Sequence, residues 1–307
     1  MTTRQTRTLR VLYILGTGHC GSTILSFALD THPEIVCLGE AKPNVQIQRR
    51  GPSEFACSCG ESVRDCSLWQ RIFERVQQDG FRFSADDWSN DYRYRNRLLN
   101  RAFETRLALR FDPWASRVPG HRWRNHRIDR VNVSLIRAAL ELRGAEVFAD
   151  ASKRPSRLVR LLNIGALDVK VLHLIRDVRA FVASHKRRGL STAETAVWWK
   201  RTQQFATRLK SDLPSDRFLP MKYEDFGNDP QGCLDQISSF LGLSSASLPD
   251  MIEPKGHHIL GNRIRLGGAM KISADEKWRK ELSENDVREA MQLAGDVNNG
   301  FGYTATP

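Results

Sequence analysis

LRVLYILGTGHCGSTILSFALD, Leu9 to Asp30, changes character twice within one short span. Leu9 to Leu15 is an apolar run rich in β-formers, Gly16 to Thr23 is studded with glycine, and a helical pattern follows at once. That order predicts strand, loop, helix. Successive backbone N–H groups in such a turn, helped by the positive end of the helix, cradle a phosphate, and glycine lets the backbone come close to it. Laid on the template G-x-x-x-x-G-K-[ST], the loop matches at Gly16, Gly21 and Thr23 but has Ser22 where the lysine belongs. That lysine reaches the terminal phosphates of a nucleoside triphosphate. Its replacement argues against ATP or GTP transfer and suits a donor that presents one phosphate beside a different transferable group.

Three further runs read as strands: Ala145 to Ala149, Val169 to Ile175 and Arg217 to Met221. Helical spacing separates them, so the pattern is βαβ and the sheet should be parallel. VKVLHLI is apolar nearly throughout, as expected of a central strand covered on both faces. Late helices are expected at Gly232 to Leu241 and Ser283 to Leu293. Residues 41–143 differ in composition and read as a largely helical insertion on the acceptor side of a single 1–307 domain. Within it, Asp91 to Arg130 carries eleven arginines against four carboxylates. Leu98, Leu99, Phe103, Leu107 and Phe111 recur there at helical spacing, with arginines on the solvated side.

The formal charge is +12, which draws anions to the surface: a nucleic acid, an acidic glycan or a phosphorylated nucleotide. No apolar run approaches the roughly 20 residues that cross a bilayer, and Val11 to Leu15 is too short for a signal-peptide core, so a cytoplasmic protein is expected. Cys57, Cys59 and Cys66 are grouped, whereas Cys20, Cys37 and Cys233 stand alone. The group lacks paired C-x-x-C spacing and shows no obvious fourth ligand, and the adjacent His257 and His258 have no carboxylate spaced to complete a site. No metal is assigned; a local disulfide or reduced thiols account for the cysteines.

With these residues in view, the chain resembles the 3′-phosphoadenosine-5′-phosphosulfate (PAPS)-dependent sulfotransferases, most of all their carbohydrate and tyrosylprotein branches. The resemblance implies a P-loop-like three-layer α/β fold and a 5′-phosphosulfate loop whose contacts are Gly18, His19, Cys20, Gly21, Ser22 and Thr23. LDTHPEIVCLGE is similar to the segment that delivers a catalytic glutamate, here Glu40. DASKRP resembles the segment whose lysine contacts the sulfuryl group, here Lys153. LIRDVRAFVASHKRRG resembles the 3′-phosphate motif, an arginine ending a strand and a serine eight residues on: Arg176 and Ser184, with Arg188 one turn further. KYEDFGNDP matches Y-E-D/Q-L-x-x-x-P and places Tyr223 near the nucleotide. HHILGNRIRLGGAMKISADEKW resembles, more loosely, a segment closing over the cofactor, with Asn262, Arg265 and Lys271 as candidates. The family usually has Arg or Lys where this chain has His19, and serine where it has Cys20.

The implied reaction moves a sulfuryl group from PAPS to a hydroxyl, leaving adenosine 3′,5′-bisphosphate. Glu40 is the expected base, His19 its rival, and Lys153 and His19 steady the sulfuryl and bridging oxygens. The basic charge favours an anionic acceptor. Arg176 stands at the carboxyl end of a parallel strand, where α/β sheets bind ligands. Trp198 and Trp199 read as core or interface residues. The competing readings are a small-molecule kinase with a variant phosphate loop and a basic nucleic-acid-binding protein. The missing lysine counts against the first, and no recognisable nucleic-acid module supports the second.

Overall fold

In the computed structural model, residues 8–41, 55–92, 119–254 and 256–304 are described, the side chains of 119–122 excepted. Leu9–Gly16 (β1) runs at the centre of a five-stranded parallel sheet of order β2-β3-β1-β4-β5. Its partners are Ile35–Cys37 (β2), Val147–Lys153 (β3), Leu167–Ile175 (β4) and Phe218–Lys222 (β5). β1 pairs with β4 along its whole length, from Leu9 opposite Leu167 to Gly16 opposite Leu174. On its other side it pairs with β3, from Arg10 opposite Val147. The order therefore turns around β1, and the crevice beyond its carboxyl end is where a doubly wound sheet places its ligand.

Alternation along β1 builds two cores. Val11, Tyr13 and Leu15 face one layer, and Leu12 and Ile14 face the other. The first layer holds Ser67–Gln78 (α2), through Trp69, Ile72 and Phe73, and Pro119–Arg143 (α3), through Val131, Leu135 and Ala139. The second holds Ser22–Asp30 (α1), through Leu25, Phe27 and Leu29, together with Pro230–Leu241 (α8). With both faces sealed, strand residues in the centre are apolar almost without interruption.

Pro155–Leu162 (α4) and Val178–Lys186 (α5) follow β3 and β4, and Thr192–Asp212 (α6) leads to β5. Tyr223–Asn228 (α7) continues β5 directly. Trp278–Glu281 (α9) and Glu284–Gly300 (α10) close the chain, the latter begun by a reciprocal cap between Ser283 and Asp286. Pro220 sits in β5, which among the described residues pairs only with β4, so its missing N–H breaks no central ladder.

The α/β class, the parallel sheet and its four longer strands agree with expectation. β2 was not anticipated. It has only three residues, and its β character comes from pairing Ile35 and Cys37 with Val147 and Ala149 rather than from a local pattern. β3 runs on to Lys153, past the expected Ala149. Within 41–143, the second half of α3 packs its Val131 and Leu135 side into the sheet's own core, so that part of the span belongs to the central layers. The arginine-rich amphipathic pattern from Leu98 to Phe111 lies outside the described residues. No helix among the described residues is long and apolar enough to cross a membrane.

Candidate active site

The crevice beyond β1 and β4 opens into a cavity of about 400 Å³. Gly18, His19, Gly21, Ser22 and Thr23 line it together with Arg176, Ser184 and Arg188, and Glu40, Lys153, Tyr223 and Asn262 complete the wall. Segments scattered along the whole sequence thus meet at one place.

The loop is backbone-made. The N-cap of α1 is Gly21, which has no side chain to cap the first turn. Gly21 has φ +89°, and a Cβ there would lie 2.2 Å from the Tyr223 ring. Only glycine suits both the conformation and the contact. His19 is held at φ 60° without that freedom, a sparsely populated conformation of the kind that gathers at functional sites.

Glu40 sits just past β2. Its amide donates to the Ile259 carbonyl (3.1 Å), and Ile259 N–H donates to Leu38 (3.0 Å), so the segment 257–262 runs alongside as a short extra rung. Lys153 ends β3 at φ 62° and donates from Nζ to Glu40 Oε1 at 2.7 Å and to the Ala151 carbonyl at 3.1 Å. Burial pulls the Lys153 ammonium down, but the Glu40 carboxylate and then Cys20 outweigh it, so the pKa stands above the ordinary value. Lys153 is a cation at neutral pH.

The turn that carries it is braced. Asp150, fully buried, accepts from Ser152 N–H (2.9 Å) and from Arg157 Nε (2.8 Å), and Tyr13 Oη donates to the Arg154 carbonyl (2.8 Å). Breaking a buried pair of this kind by removing one partner costs about 3–5 kcal/mol.

His19 is surrounded by basic side chains. Burial first, then the positive charges of Arg188, His185, Lys153 and Arg176, push its pKa down to about 4. At neutral pH it is an uncharged hydrogen-bonding group.

Arg176 is 6% exposed and lies over the Tyr223 ring, 4.5 Å from its centroid. It donates to the His19 carbonyl (2.7 Å) and to Asp275 Oδ2 (3.1 Å), tying strand end to loop. Ser184 Oγ donates to the Ala180 carbonyl (3.0 Å) and receives Arg187 Nη2 at 3.4 Å. Arg188 is exposed at the end of α5, on the cavity rim.

Three expected contacts do not line the cavity. Cys20 is fully buried beneath the loop, packed in the core with Leu12 and Ile14, because the left-handed His19 turns the next side chain inward. Arg265, 2% exposed, runs under its own segment and donates weakly to the Asn262 and Ala56 carbonyls, each at 3.5 Å. Lys271 is exposed and lies away from the lining. Asn262 does line it, with its amide on Thr23 Oγ1 (3.1 Å) and its side-chain oxygen capping Ile264 N–H (3.1 Å). Asp275, Arg187, Leu260 and Gly261 line the cavity without having been expected. Arg187 follows from Ser184 by helical spacing; Asp275 had no sequence signal.

Trp199 is core, donating to the Arg176 carbonyl (2.9 Å), whereas Trp198 is 46% exposed. The grouped cysteines do have a fourth potential ligand beside them, contrary to expectation. His257 is brought to them, its Nδ1 3.1 Å from Cys66 Sγ. Sequence spacing could not reveal it, because the two are 191 residues apart.

The family model described as "Sulfotransferase family" matches residues 12–247. Carbohydrate sulfotransferase 5 of Mus musculus is 21% identical over 175 residues, 48% of this chain and 44% of the relative, so the chain spans under half the relative's length. Among solved structures, the sulfotransferase domain from the Synechococcus PCC 7002 olefin synthase superposes with a TM-score of 0.53 at 19% identity, covering 100% of this chain and 99% of that one, and so shares its fold. A phosphate-type loop without the triphosphatase lysine, an acid and an ammonium in contact beside it, and a family model spanning most of the length agree: the chain belongs to the sulfotransferase family.

Proposed function

We propose that the protein transfers a sulfuryl group from PAPS to a hydroxyl on an acceptor, by in-line displacement without metal participation in the transfer. The observation that carries this reading is one cavity lined both by the loop Gly18–Thr23 at the start of α1 and by Arg176, Ser184 and Arg188. Two anion-binding groups lining one cavity suit a nucleotide phosphorylated at both ends.

PAPS supplies the sulfuryl group and, as leaving group, adenosine 3′,5′-bisphosphate. The loop amides from Gly18 to Thr23 hold the 5′-phosphate, and Arg176, Ser184 and Arg188 hold the 3′-phosphate. Tyr223, already stacked under Arg176, backs the nucleotide. Glu40 takes the hydroxyl proton as the acceptor oxygen bonds to sulfur and the bond from sulfur to the bridging oxygen breaks. Lys153 neutralises charge gathering on the sulfuryl and bridging oxygens, and neutral His19 adds a hydrogen bond. The ion pair of Glu40 and Lys153 keeps base and electrophile together before substrate arrives. Positioning and electrostatics carry the rate, as in phosphoryl transfer. The formal charge of +12 favours an anionic acceptor.

A thermal-shift comparison tests the donor: adenosine 3′,5′-bisphosphate should raise the melting temperature and ADP with magnesium should not. Labelled PAPS against a panel of hydroxyl compounds then tests transfer. Stabilisation by ADP–magnesium alone would reject the reading in favour of phosphoryl transfer.

A further inference from the structure

Outside the cavity, three sulfurs and an imidazole converge. The ligand atoms of Cys57, Cys59, Cys66 and His257 all lie within 4.8 Å of one another. Zinc bound at about 2.3 Å by sulfur and 2.0–2.1 Å by nitrogen spans its donors by about 3.5–3.8 Å in a tetrahedron, so an ion draws these four in only slightly. Cys57 and Cys66 are buried, and Cys59 and His257 are half-buried. None of the four lines the cavity.

The surroundings build the geometry. Cys57 N–H donates to the Glu61 carbonyl (2.9 Å) and Gly60 N–H to the Cys57 carbonyl (3.1 Å), forming a tight knuckle in which Gly60 takes φ +98°. Cys66 stands at the start of α2. Ser58 N–H donates to the His258 carbonyl (2.9 Å), His258 N–H to Ser58 Oγ (3.0 Å) and Trp69 Nε1 to the His257 carbonyl (3.0 Å). These bonds fix the backbone on either side of every donor.

We propose that Cys57, Cys59, Cys66 and His257 form a structural zinc site that staples the segment 257–262 to the knuckle and to α2. A set of three thiolates and one imidazole with tetrahedral closure selects zinc over hard cations. Each thiol gives up its proton on binding; three thiolates, a neutral imidazole and the dication leave one net negative charge. All four positions are filled by protein, so the ion holds structure and binds no substrate. Ile259, two residues beyond His257, makes the rung that positions Glu40, and Leu260 to Asn262 reach the cavity. The site stands on its own geometry and does not rest on the sulfuryl-transfer reading.

The full chain, purified without chelator or polyhistidine tag, should carry one zinc by elemental analysis. Cobalt exchanged into it should show the ligand-field and thiolate charge-transfer bands of a tetrahedral site. Cys59→Ser and His257→Ala should lose the zinc and melt at lower temperature while keeping the far-ultraviolet circular dichroism of a folded protein. Cys233→Ala, remote from the cluster, should keep it. Three results would overturn the proposal: a wild-type protein that takes up neither zinc nor cobalt, zinc retained equally by Cys59→Ser and His257→Ala, or a non-reducing peptide map that finds a disulfide among the three cysteines in place of metal.

Discussion

The loop at Gly16–Thr23 and the segment at His257–Asn262 border the same cavity, yet different means hold them there. The loop is contiguous with β1 and α1, and its position follows from the strand's place in the sheet. The later segment has no element of its own. It is held by a single β-bridge to Gly39, by Asn262 N–H on Thr23 Oγ1 and by bonds to the Ser58 knuckle. A site can therefore be half built from local chain geometry and half from cross-links between distant residues, and only the first half shows a short sequence signature.

Glu40 lies between the two halves, and its replacement should have the largest effect. Glu40→Gln should lower kcat by about 10²–10⁴-fold, the usual contribution of a general base, with adenosine 3′,5′-bisphosphate affinity almost unchanged by calorimetry. A fully active variant would remove it from the base role.

Two glycines separate the halves more sharply. Gly21→Ala puts a methyl against Tyr223 in a left-handed turn and should weaken the nucleotide's calorimetric signal and cut turnover by about 10²-fold, the scale of an ångström of misplacement. In Gly39→Ala the new Cβ meets the Ile259 carbonyl at 2.6 Å, at φ +75°. It should lower kcat and the melting temperature while sparing nucleotide affinity. Equal losses of nucleotide binding in both variants would erase the distinction.

Asp275→Asn should act in the opposite direction. Its carboxylate occupies Arg176 at 3.1 Å, where a phosphate is proposed to bind. Removing that charge should tighten adenosine 3′,5′-bisphosphate several-fold in a titration, and an unchanged affinity would place the 3′-phosphate elsewhere.

The smallest effect is on pH-dependent stability. Burial pushes His173 down to about 4, and burial with neighbouring cations does the same to His19. Both begin near 6.5 in the unfolded chain. Their depressed values favour folding above pH about 6.5, and that contribution is lost as pH falls through 6.5 toward 4. Urea denaturation at stepped pH should show the decline, with a shallower slope in His173→Gln. No limb of the pH–rate profile near 6.5 should belong to His19.

How far the sequence was legible follows the same division. The Leu9–Asp30 reading succeeded because strand, loop and helix are consecutive, so periodicity and glycine placement carry the geometry. Arg176 was legible as the charge ending an apolar strand, whereas Ser184 and Arg188 came from the resemblance to the 3′-phosphate motif, whose spacing fits a strand end followed by a helix. Cys20, Arg265 and Lys271 were assigned from position in a motif alone, and side-chain direction is set by backbone turns and tertiary packing that a motif does not encode. β2 escaped because three residues show no periodicity. His257 escaped because its partners are far upstream, and Asp275 because it reaches Arg176 from an irregular segment.

The bracing of the Asp150–Arg157 turn bears on how Lys153 works. A lysine ordinarily reaches its target on a four-carbon tether whose rotamers must be frozen at the moment of reaction, at a cost of up to about 2 kcal/mol. Here Asp150 locks the turn beneath it, and Glu40 with the Ala151 carbonyl pins its tip. That freezing is completed as the chain folds. In the proposed reaction the ammonium would meet an incoming anion as a fixed charge, with little of its own motion left to lose.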